Sequence, residues 1–187
     1  MANYLWERDG SRKYLTDKER ERFYKEALKS KHRAFFLFLF YTGCRITEAL
    51  RVRPCDFDDD GPELRSVVIP TLKQRQNGVF RTVPLLDDYW DILIADKVLD
   101  GPPAVRVWKR TRQWGWYQVK RVAKAAKVKG EKASCPKALR HTMGTHAVNN
   151  DVPMAVIQEV LGHTNPASTQ VYAKVGLATV RRHQIWK

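Results

Sequence analysis

The longest apolar stretch of the chain is the run of eight residues at positions 34–41, Ala-Phe-Phe-Leu-Phe-Leu-Phe-Tyr. A helix that crosses a bilayer needs about 20 apolar residues, so this run is far too short to span a membrane. It predicts instead a helix over residues 31–41 that is buried in the core of a globular domain. Gly43 follows directly and predicts the end of that helix. A length of 187 residues fits one domain with a real core.

Patterns on either side of this helix predict a mainly α fold with a small antiparallel β-sheet (α+β). Thr16 and Glu19 have the spacing of a capping box and begin a helix that reaches about residue 28. Two β-like runs, near residues 65–70 and 79–85, flank Asn-Gly, which is a strong hairpin signal. Further helices are predicted at residues 46–52, 87–99, 137–149, 154–161 and 167–173, and within the segment 108–124.

The charge of the chain is strongly positive. Thirty-four Lys and Arg stand against 20 Asp and Glu, which gives a net charge of +14. Such an excess is typical of nucleic-acid binders, although charge alone also fits an ordinary basic protein. Cys44, Cys55 and Cys135 are widely spaced and contain no Cys-x-x-Cys pair, which favours neither a disulfide framework nor a zinc site. We therefore expect a cytoplasmic protein without a bound metal.

Four short motifs carry residues suited to holding and attacking a phosphodiester. They are Arg45 in Thr-Gly-Cys-Arg-Ile-Thr-Glu, Arg140 in Leu-Arg-His, His163 in Leu-Gly-His, and Tyr172 nine residues further on. Guanidinium groups match the non-bridging oxygens of a phosphate and stay protonated at neutral pH. A tyrosine hydroxyl, with a pKa of about 10, is a poor nucleophile unaided, but surrounding cations favour its phenolate. Taken alone, His163 fits a helix cap and Tyr172 a packed aromatic residue; together the motifs indicate a phosphate site built around a tyrosine nucleophile.

In the order and spacing of these motifs the chain resembles the catalytic domain of the tyrosine recombinases, or phage-type integrases, and more loosely the type IB topoisomerases. The resemblance covers residues 15–172. It implies the catalytic-domain fold that these two families share, and DNA cleavage through a 3′-phosphotyrosine without ATP, metal or another cofactor. Arg45 and Arg140 would hold the scissile phosphate, His163 would add a hydrogen bond to it, and Tyr172 would attack.

The resemblance also implies a lysine on a β-hairpin and a histidine three residues before the second arginine. Lys73, shortly before the Asn-Gly turn, is the candidate general acid for the leaving 5′ oxygen, and Arg75 is its rival. Lys137 occupies the position of this histidine, and some type IB topoisomerases also have a lysine there. Residues three apart share a helix face, so Lys137 would still point with Arg140 toward the phosphate. A lysine donates hydrogen bonds without accepting them, which argues against a general base at this position.

Other cations are candidates for contacts with DNA phosphates. They are Arg75, Arg81, Arg112, Lys120, Arg121 and Lys124. The last four lie in the segment 108–124, which mixes cations with aromatic residues, and family members contact DNA with this region. The alternative is that Trp114 and Tyr117 pack inward and the cations form an ordinary solvated face. We expect Glu48 to orient Arg45 or to cap local backbone, and His141 to be a structural hydrogen-bonding residue.

These observations predict a site-specific DNA recombinase that acts in integration, inversion or resolution. The alternatives are a type IB topoisomerase-like nicking-closing enzyme and a catalytically silent DNA-binding regulator. We expect residues 1–187 to form a single catalytic domain without an N-terminal core-binding (clamp) domain, as in the short fimbrial-switch invertases that the chain resembles. The expected partners are double-stranded DNA, further copies of the chain in a tetramer on DNA with a monomer in solution, and an accessory DNA-binding protein. We expect a nucleoid-associated location, no cofactor and no membrane.

Overall fold

The computed structural model describes residues 5–7, 9–72 and 78–173. Within these ranges the chain forms eight α-helices, three β-strands and one 3-10 turn. The helices are α1 (Asp17–Leu28), α2 (Arg33–Thr42), α3 (Ile46–Ala49), α4 (Asp87–Ala95), α5 (Arg112–Ala125), α6 (Pro136–Asn149), α7 (Met154–Leu161) and α8 (Ala167–Ala173). The strands are β1 (Phe57–Asp58), β2 (Ser66–Pro70) and β3 (Phe80–Pro84), and the 3-10 turn is Pro54–Asp56. The prediction of a mainly α fold with a small sheet is confirmed.

Helix α2 runs through the centre of the core. Its side chains from Ala34 to Phe40 are all buried, as the unbroken apolar run predicts. Gly43 caps the helix with a left-handed φ of 57°. A Cβ atom there would lie 2.8 Å from Cδ2 of Leu161, so only glycine lets the end of α2 approach the end of α7 this closely. This contact brings the Arg45 motif next to the His163 motif.

The antiparallel sheet has the strand order β1-β2-β3. Strands β2 and β3 pair from Ser66 with Pro84 to Pro70 with Phe80, which confirms the predicted hairpin strands. Residues alternate between the two faces of β3, and Arg81 and Val83 face the interior. Lys73 and Arg75 lie outside the described residues, so the structure gives no position for either side chain.

The other predicted helices are present, and two of them are shorter than expected. The capping box at Thr16 begins α1, with Glu19 accepting a hydrogen bond from the Thr16 backbone N–H at 2.9 Å. Helix α3 ends at Ala49, before the extended residue that precedes Pro54. Helix α4 ends at Ala95, where the chain turns through a left-handed Lys97. In the described part of the chain, no helix is both long and apolar enough to cross a membrane.

The C-terminal helices hold the last three motifs together. Helix α6, which carries Arg140, packs against α2, α7 and α8. Proline at its first position suits the helix start, where a backbone N–H would have no helical partner. Tyr172 of α8 joins Leu5, Ile157 and Leu161 in a small second hydrophobic cluster. The nucleophile predicted from the sequence is therefore part of this cluster.

Candidate active site

The guanidinium of Arg140 ties together the turns that carry two other motifs. Its Nη1 donates to the carbonyl oxygen of Gly43 at 3.0 Å, and its Nη2 donates to the carbonyl oxygen of Leu161 at 2.6 Å. Gly43 lies two residues before Arg45, and Leu161 lies two residues before His163. One buried side chain thus fixes both turns against α6.

Arg140 keeps its positive charge although it is buried. Burial, and after it the positive charge of Arg45, lower the pKa of Arg140 to about 10. The group therefore stays protonated at neutral pH. A guanidinium that is already fixed by two carbonyl oxygens, and that has further N–H donors, is well prepared to bind a phosphate with little loss of side-chain entropy.

Arg45 stands at the N-terminus of α3 and is fixed by Glu48, one turn further on. The Arg45 side chain is 22% exposed, and its Nη1 donates to Oε1 of Glu48 at 2.7 Å. The backbone N–H of Arg45 donates to Oε2 of the same carboxylate at 2.9 Å. The prediction that Glu48 orients Arg45 or caps local backbone is confirmed, since Glu48 does both.

The side chain of Glu48 is 0% exposed and remains ionised. Its burial would raise the pKa, but the charge of Arg81, the N–H of Arg45 and the charge of Arg45 outweigh burial and hold the pKa of Glu48 below its usual value. A buried carboxylate is stable only when it is paired in this way.

Tyr172 lies beside His163 and is 1% exposed. The two rings are stacked, with centroids 6.3 Å apart and an angle of 13° between their planes. Nδ1 of His163 lies 2.8 Å from the hydroxyl oxygen of Thr169 in α8, which fixes the imidazole against the helix of the tyrosine. A Cβ atom on Gly144 would come within 2.6 Å of the Tyr172 ring, so the ring lies flat on the glycine backbone of α6.

The hydroxyl of Tyr172 contacts His141, at 3.2 Å from Nδ1. Burial, and after it the charges of Lys137 and Arg140, lower the pKa of His141 to about 3. The imidazole is therefore neutral at pH 7, and in the tautomer with its proton on Nε2 it accepts a hydrogen bond from the tyrosine. This confirms the structural role predicted for His141. Its partner was missed, because no local spacing connects residues 31 positions apart.

Lys137 is exposed on the first turn of α6, one turn before Arg140. Its positive charge contributes to the lowered pKa of His141, the residue that contacts the Tyr172 hydroxyl. The described residues therefore bring five of the six predicted catalytic side chains to one region of the molecule. The sixth, Lys73, lies outside them.

Arg81 is buried, at 7% exposure, and this placement does not agree with the predicted DNA contact. Its Nη2 donates to Oε2 of Glu48 at 2.9 Å. Its Nε donates to the carbonyl oxygen of Val160 at 2.8 Å, and its Nη1 donates to the hydroxyl of Thr71 at 3.1 Å. The physical reason is the strand alternation, which turns Arg81 to the inner face of β3, toward a carboxylate that needs a partner.

Helix α5 presents its cations to solvent. Arg112, Arg121 and Lys124 are exposed. Lys120 is partly buried, 4.5 Å above the ring of Trp116. Trp114 packs on Phe35 with ring centroids 5.3 Å apart, whereas Tyr117 is 55% exposed. The alternative in which both aromatic residues pack inward is thus correct for Trp114 and wrong for Tyr117. The DNA contacts of α5 stay a prediction.

Comparison with known proteins identifies the family of the chain. The model of the phage integrase family matches residues 13–177. The chain is 28% identical over 164 residues to the tyrosine recombinase XerA of Thermococcus onnurineus, covering 83% of the chain and 55% of XerA. It is 30% identical over 162 residues to the tyrosine recombinase XerD of Haemophilus ducreyi, covering 80% of the chain and 52% of XerD. The chain spans about half the length of these curated relatives.

Solved structures share the fold at lower sequence identity. The XerH site-specific recombinase, in a post-cleavage complex with a palindromic difH substrate, matches with a TM-score of 0.76 and 21% identity, over 92% of this chain and 53% of that one. The crystal structure of XerA recombinase matches with a TM-score of 0.76 and 22% identity, over 93% and 66%. The catalytic domain of bacteriophage HP1 integrase matches with a TM-score of 0.67 and 20% identity, over 93% and 94%.

Proposed function

The chain belongs to the phage integrase family, and from this premise we propose that it is a site-specific recombinase that cleaves and rejoins double-stranded DNA through a 3′-phosphotyrosine. The observation that carries this proposal is the position of Arg140. Its two bonds, to Gly43 and Leu161, hold the Arg45 turn and the His163 turn on the helix that also supports Tyr172. Four motifs that are far apart in the sequence thus meet around one charged group.

In the proposed reaction the two arginines hold the non-bridging oxygens of the scissile phosphate. Charge on these oxygens increases in the transition state, and each fixed donor stabilises it by roughly 3 kcal/mol. His163 adds a hydrogen bond, and Lys137 adds a positive charge at the edge of the site. Tyr172 attacks the phosphorus as the phenolate, after losing its proton to solvent, and a phosphorus–oxygen bond to tyrosine replaces the bond to the 5′ oxygen.

The leaving 5′ oxygen takes a proton from Lys73, with Arg75 as the rival donor, and the reverse sequence of steps reseals the strand. The stored ester makes religation independent of ATP.

Tyr172 has to move for this reaction. Its hydroxyl is enclosed beside His141, whereas a DNA phosphate approaches from the surface. We propose that the hydroxyl leaves His141 and turns toward the space between Arg45 and Arg140 when DNA is bound. The conformation described above is then the resting state of the nucleophile.

The proposed DNA surface extends from this site along α5. Arg112, Lys120, Arg121 and Lys124 supply the charge for backbone contacts. The XerH recombinase was solved in a post-cleavage complex with its difH substrate, which supports a DNA partner for this chain. We also propose assembly of a tetramer on DNA, help from an accessory DNA-binding protein, and a location at the nucleoid, as expected for an enzyme with this substrate.

The test is covalent trapping on a nicked suicide duplex. The target sequence is found by incubating the chain with a library of nicked duplexes that carry random sequence around the nick, and by sequencing the DNA that becomes attached to protein. The native chain should form an adduct that survives denaturation, and Tyr172→Phe should form none. Tyr117→Phe, which changes an exposed tyrosine on α5, is the matched control and should keep the adduct.

The same experiment separates the alternatives. The relatives and structural neighbours named above are recombinases, and these findings favour neither of the other two functions. Adducts spread over all sequences, together with relaxation of any supercoiled plasmid, would support the topoisomerase-like enzyme. Binding to DNA without an adduct on any member of the library would support the silent regulator and would contradict the proposed function.

A further inference from the structure

Arg81 makes three side-chain bonds, and each one reaches a different segment of the proposed active site. One bond goes to Glu48 of α3, at 2.9 Å, and Glu48 in turn holds Arg45. A second goes to the carbonyl oxygen of Val160 in the last turn of α7, three residues before His163. The third goes to the hydroxyl of Thr71, at the base of the hairpin that carries Lys73.

Glu48 makes a second contact with the hairpin, in addition to the bond from Arg81 to Thr71. Its Oε1 accepts from Nη1 of Arg45 at 2.7 Å and from the backbone N–H of Leu72 at 3.4 Å. Its Oε2 accepts from the backbone N–H of Arg45 at 2.9 Å and from Arg81. Leu72 directly precedes Lys73 in the chain. The carboxylate therefore lies between the first arginine, the hairpin and Arg81, with both oxygens used twice.

Gly162 shows how closely Arg81 is packed against the histidine turn. Gly162 has a left-handed φ of 64°, and a Cβ atom there would lie 2.9 Å from Cδ of Arg81. The side chain of Arg81 thus crosses the backbone immediately before His163. A change in the position of Arg81 is transmitted to His163 through this contact as well as through the Val160 carbonyl.

We propose that Arg81 is a positioning residue of the cleavage reaction, which sets Arg45 through Glu48 and sets the turn of His163 through Val160 and Gly162, without contacting DNA. This inference rests on the proposed function, because positioning has meaning only if Arg45 and His163 act on a phosphate. It replaces the DNA contact that the sequence predicted for Arg81. Arginine suits the task because its rigid fork reaches three acceptors at once, whereas lysine is a single flexible point charge.

The first experiment separates positioning from DNA contact. Arg81→Gln should keep the DNA affinity of the native chain within about twofold, and the logarithm of its affinity should fall with salt at the native slope. Its rate of single-turnover cleavage should fall by about 100-fold, the loss expected when catalytic groups shift by about 1 Å. Arg81→Lys should recover part of that rate. A salt slope reduced by about one, with affinity and cleavage lost together, would show that Arg81 binds a phosphate and would overturn the proposal.

The second experiment asks whether Arg81 acts through Glu48. The charged and titratable groups that face Glu48 are Arg45, Arg81, Arg140 and the thiol of Cys44. Without Arg81, burial should favour protonation of Glu48, so cleavage by Arg81→Gln should fall more steeply than native cleavage between about pH 8 and pH 5. The added change Glu48→Gln removes the titrating group and should abolish this extra pH dependence. If the extra dependence persists in the double variant, Glu48 is not the link and the proposal fails.

A third measurement is independent of cleavage. The ¹³C signal of the Glu48 carboxyl in the DNA-free protein should titrate at higher pH in Arg81→Gln than in the native chain, while Arg112→Gln, an exposed control, should leave it unchanged. An unaltered Glu48 titration would contradict the proposed contacts whether or not the chain cleaves DNA. Conversely, the expected titration together with no adduct from the native chain would leave the contacts intact and would refute the proposed function instead.

Discussion

Replacing Gly144 with alanine should disturb the pocket that holds the ring of Tyr172. Three atoms of the ring lie 2.6, 2.6 and 2.8 Å from the place that the new Cβ atom would occupy. Contacts this short force a shift of the ring, and overpacking of this kind costs about 1–3 kcal/mol. Alanine also favours the helix by up to about 1 kcal/mol relative to glycine. The net effect should be a loss of up to about 2 kcal/mol of stability.

Thermal unfolding measures this loss, because each kcal/mol lowers Tm by about 2–4 °C in a domain of this size. The decisive control is the same change in a Tyr172→Ala background. With the ring absent, the clash disappears and only the helix propensity remains, so Gly144→Ala should then stabilise the chain by up to about 1 kcal/mol. A change of sign between the two backgrounds is the expected result. Equal effects in both backgrounds would refute the placement of Tyr172 on Gly144.

Three further predictions concern charge in and around the site. The pKa of His141 is lowered from 6.5 to about 3 by folding, so the unfolded chain binds the proton more readily than the folded one. The contribution of His141 to stability should be fully present above about pH 6.5 and should decline toward pH 3. Urea unfolding midpoints measure this decline, and His141→Gln should weaken it. Arg140→Lys keeps a charge but loses the fork that spans Gly43 and Leu161, so single-turnover cleavage should fall at least about 100-fold while DNA affinity changes little; equal loss of both would contradict its role. The double variant Arg121→Gln, Lys124→Gln should reduce the salt slope of DNA binding by about two without slowing cleavage of bound DNA, and an unchanged slope would place α5 away from the DNA.

Local sequence signals were sufficient for the elements that local interactions determine. The Thr16–Glu19 capping box, the apolar run of α2 and the two strands that flank Asn-Gly each depend on residues within one turn or one strand pair, and each is present as predicted. The four motifs also indicated the shared site, because their chemistry has meaning only if they meet. Contacts between residues that lie far apart in the sequence could not be predicted from such local signals.

Arg81 shows why the remainder could not be predicted. An arginine is rarely buried unless it is paired, so its cationic side chain favoured a surface position. Its partner Glu48 lies 33 residues earlier, on a helix whose packing against the sheet no local pattern reveals. His141 and Tyr172 pose the same problem, since their contact depends on how α8 lies on α6. In both cases the missing information is the packing of two elements that are distant in the sequence.

In the proposed reaction Tyr172 becomes covalently joined to DNA. The most direct measurement is mass spectrometry of the peptide that carries the nucleotide remnant, after proteolysis and nuclease digestion of the trapped adduct. We expect a 3′-linked phosphodiester on Tyr172, nine residues after His163. A remnant on any other residue, or one linked through its 5′ end, would contradict it.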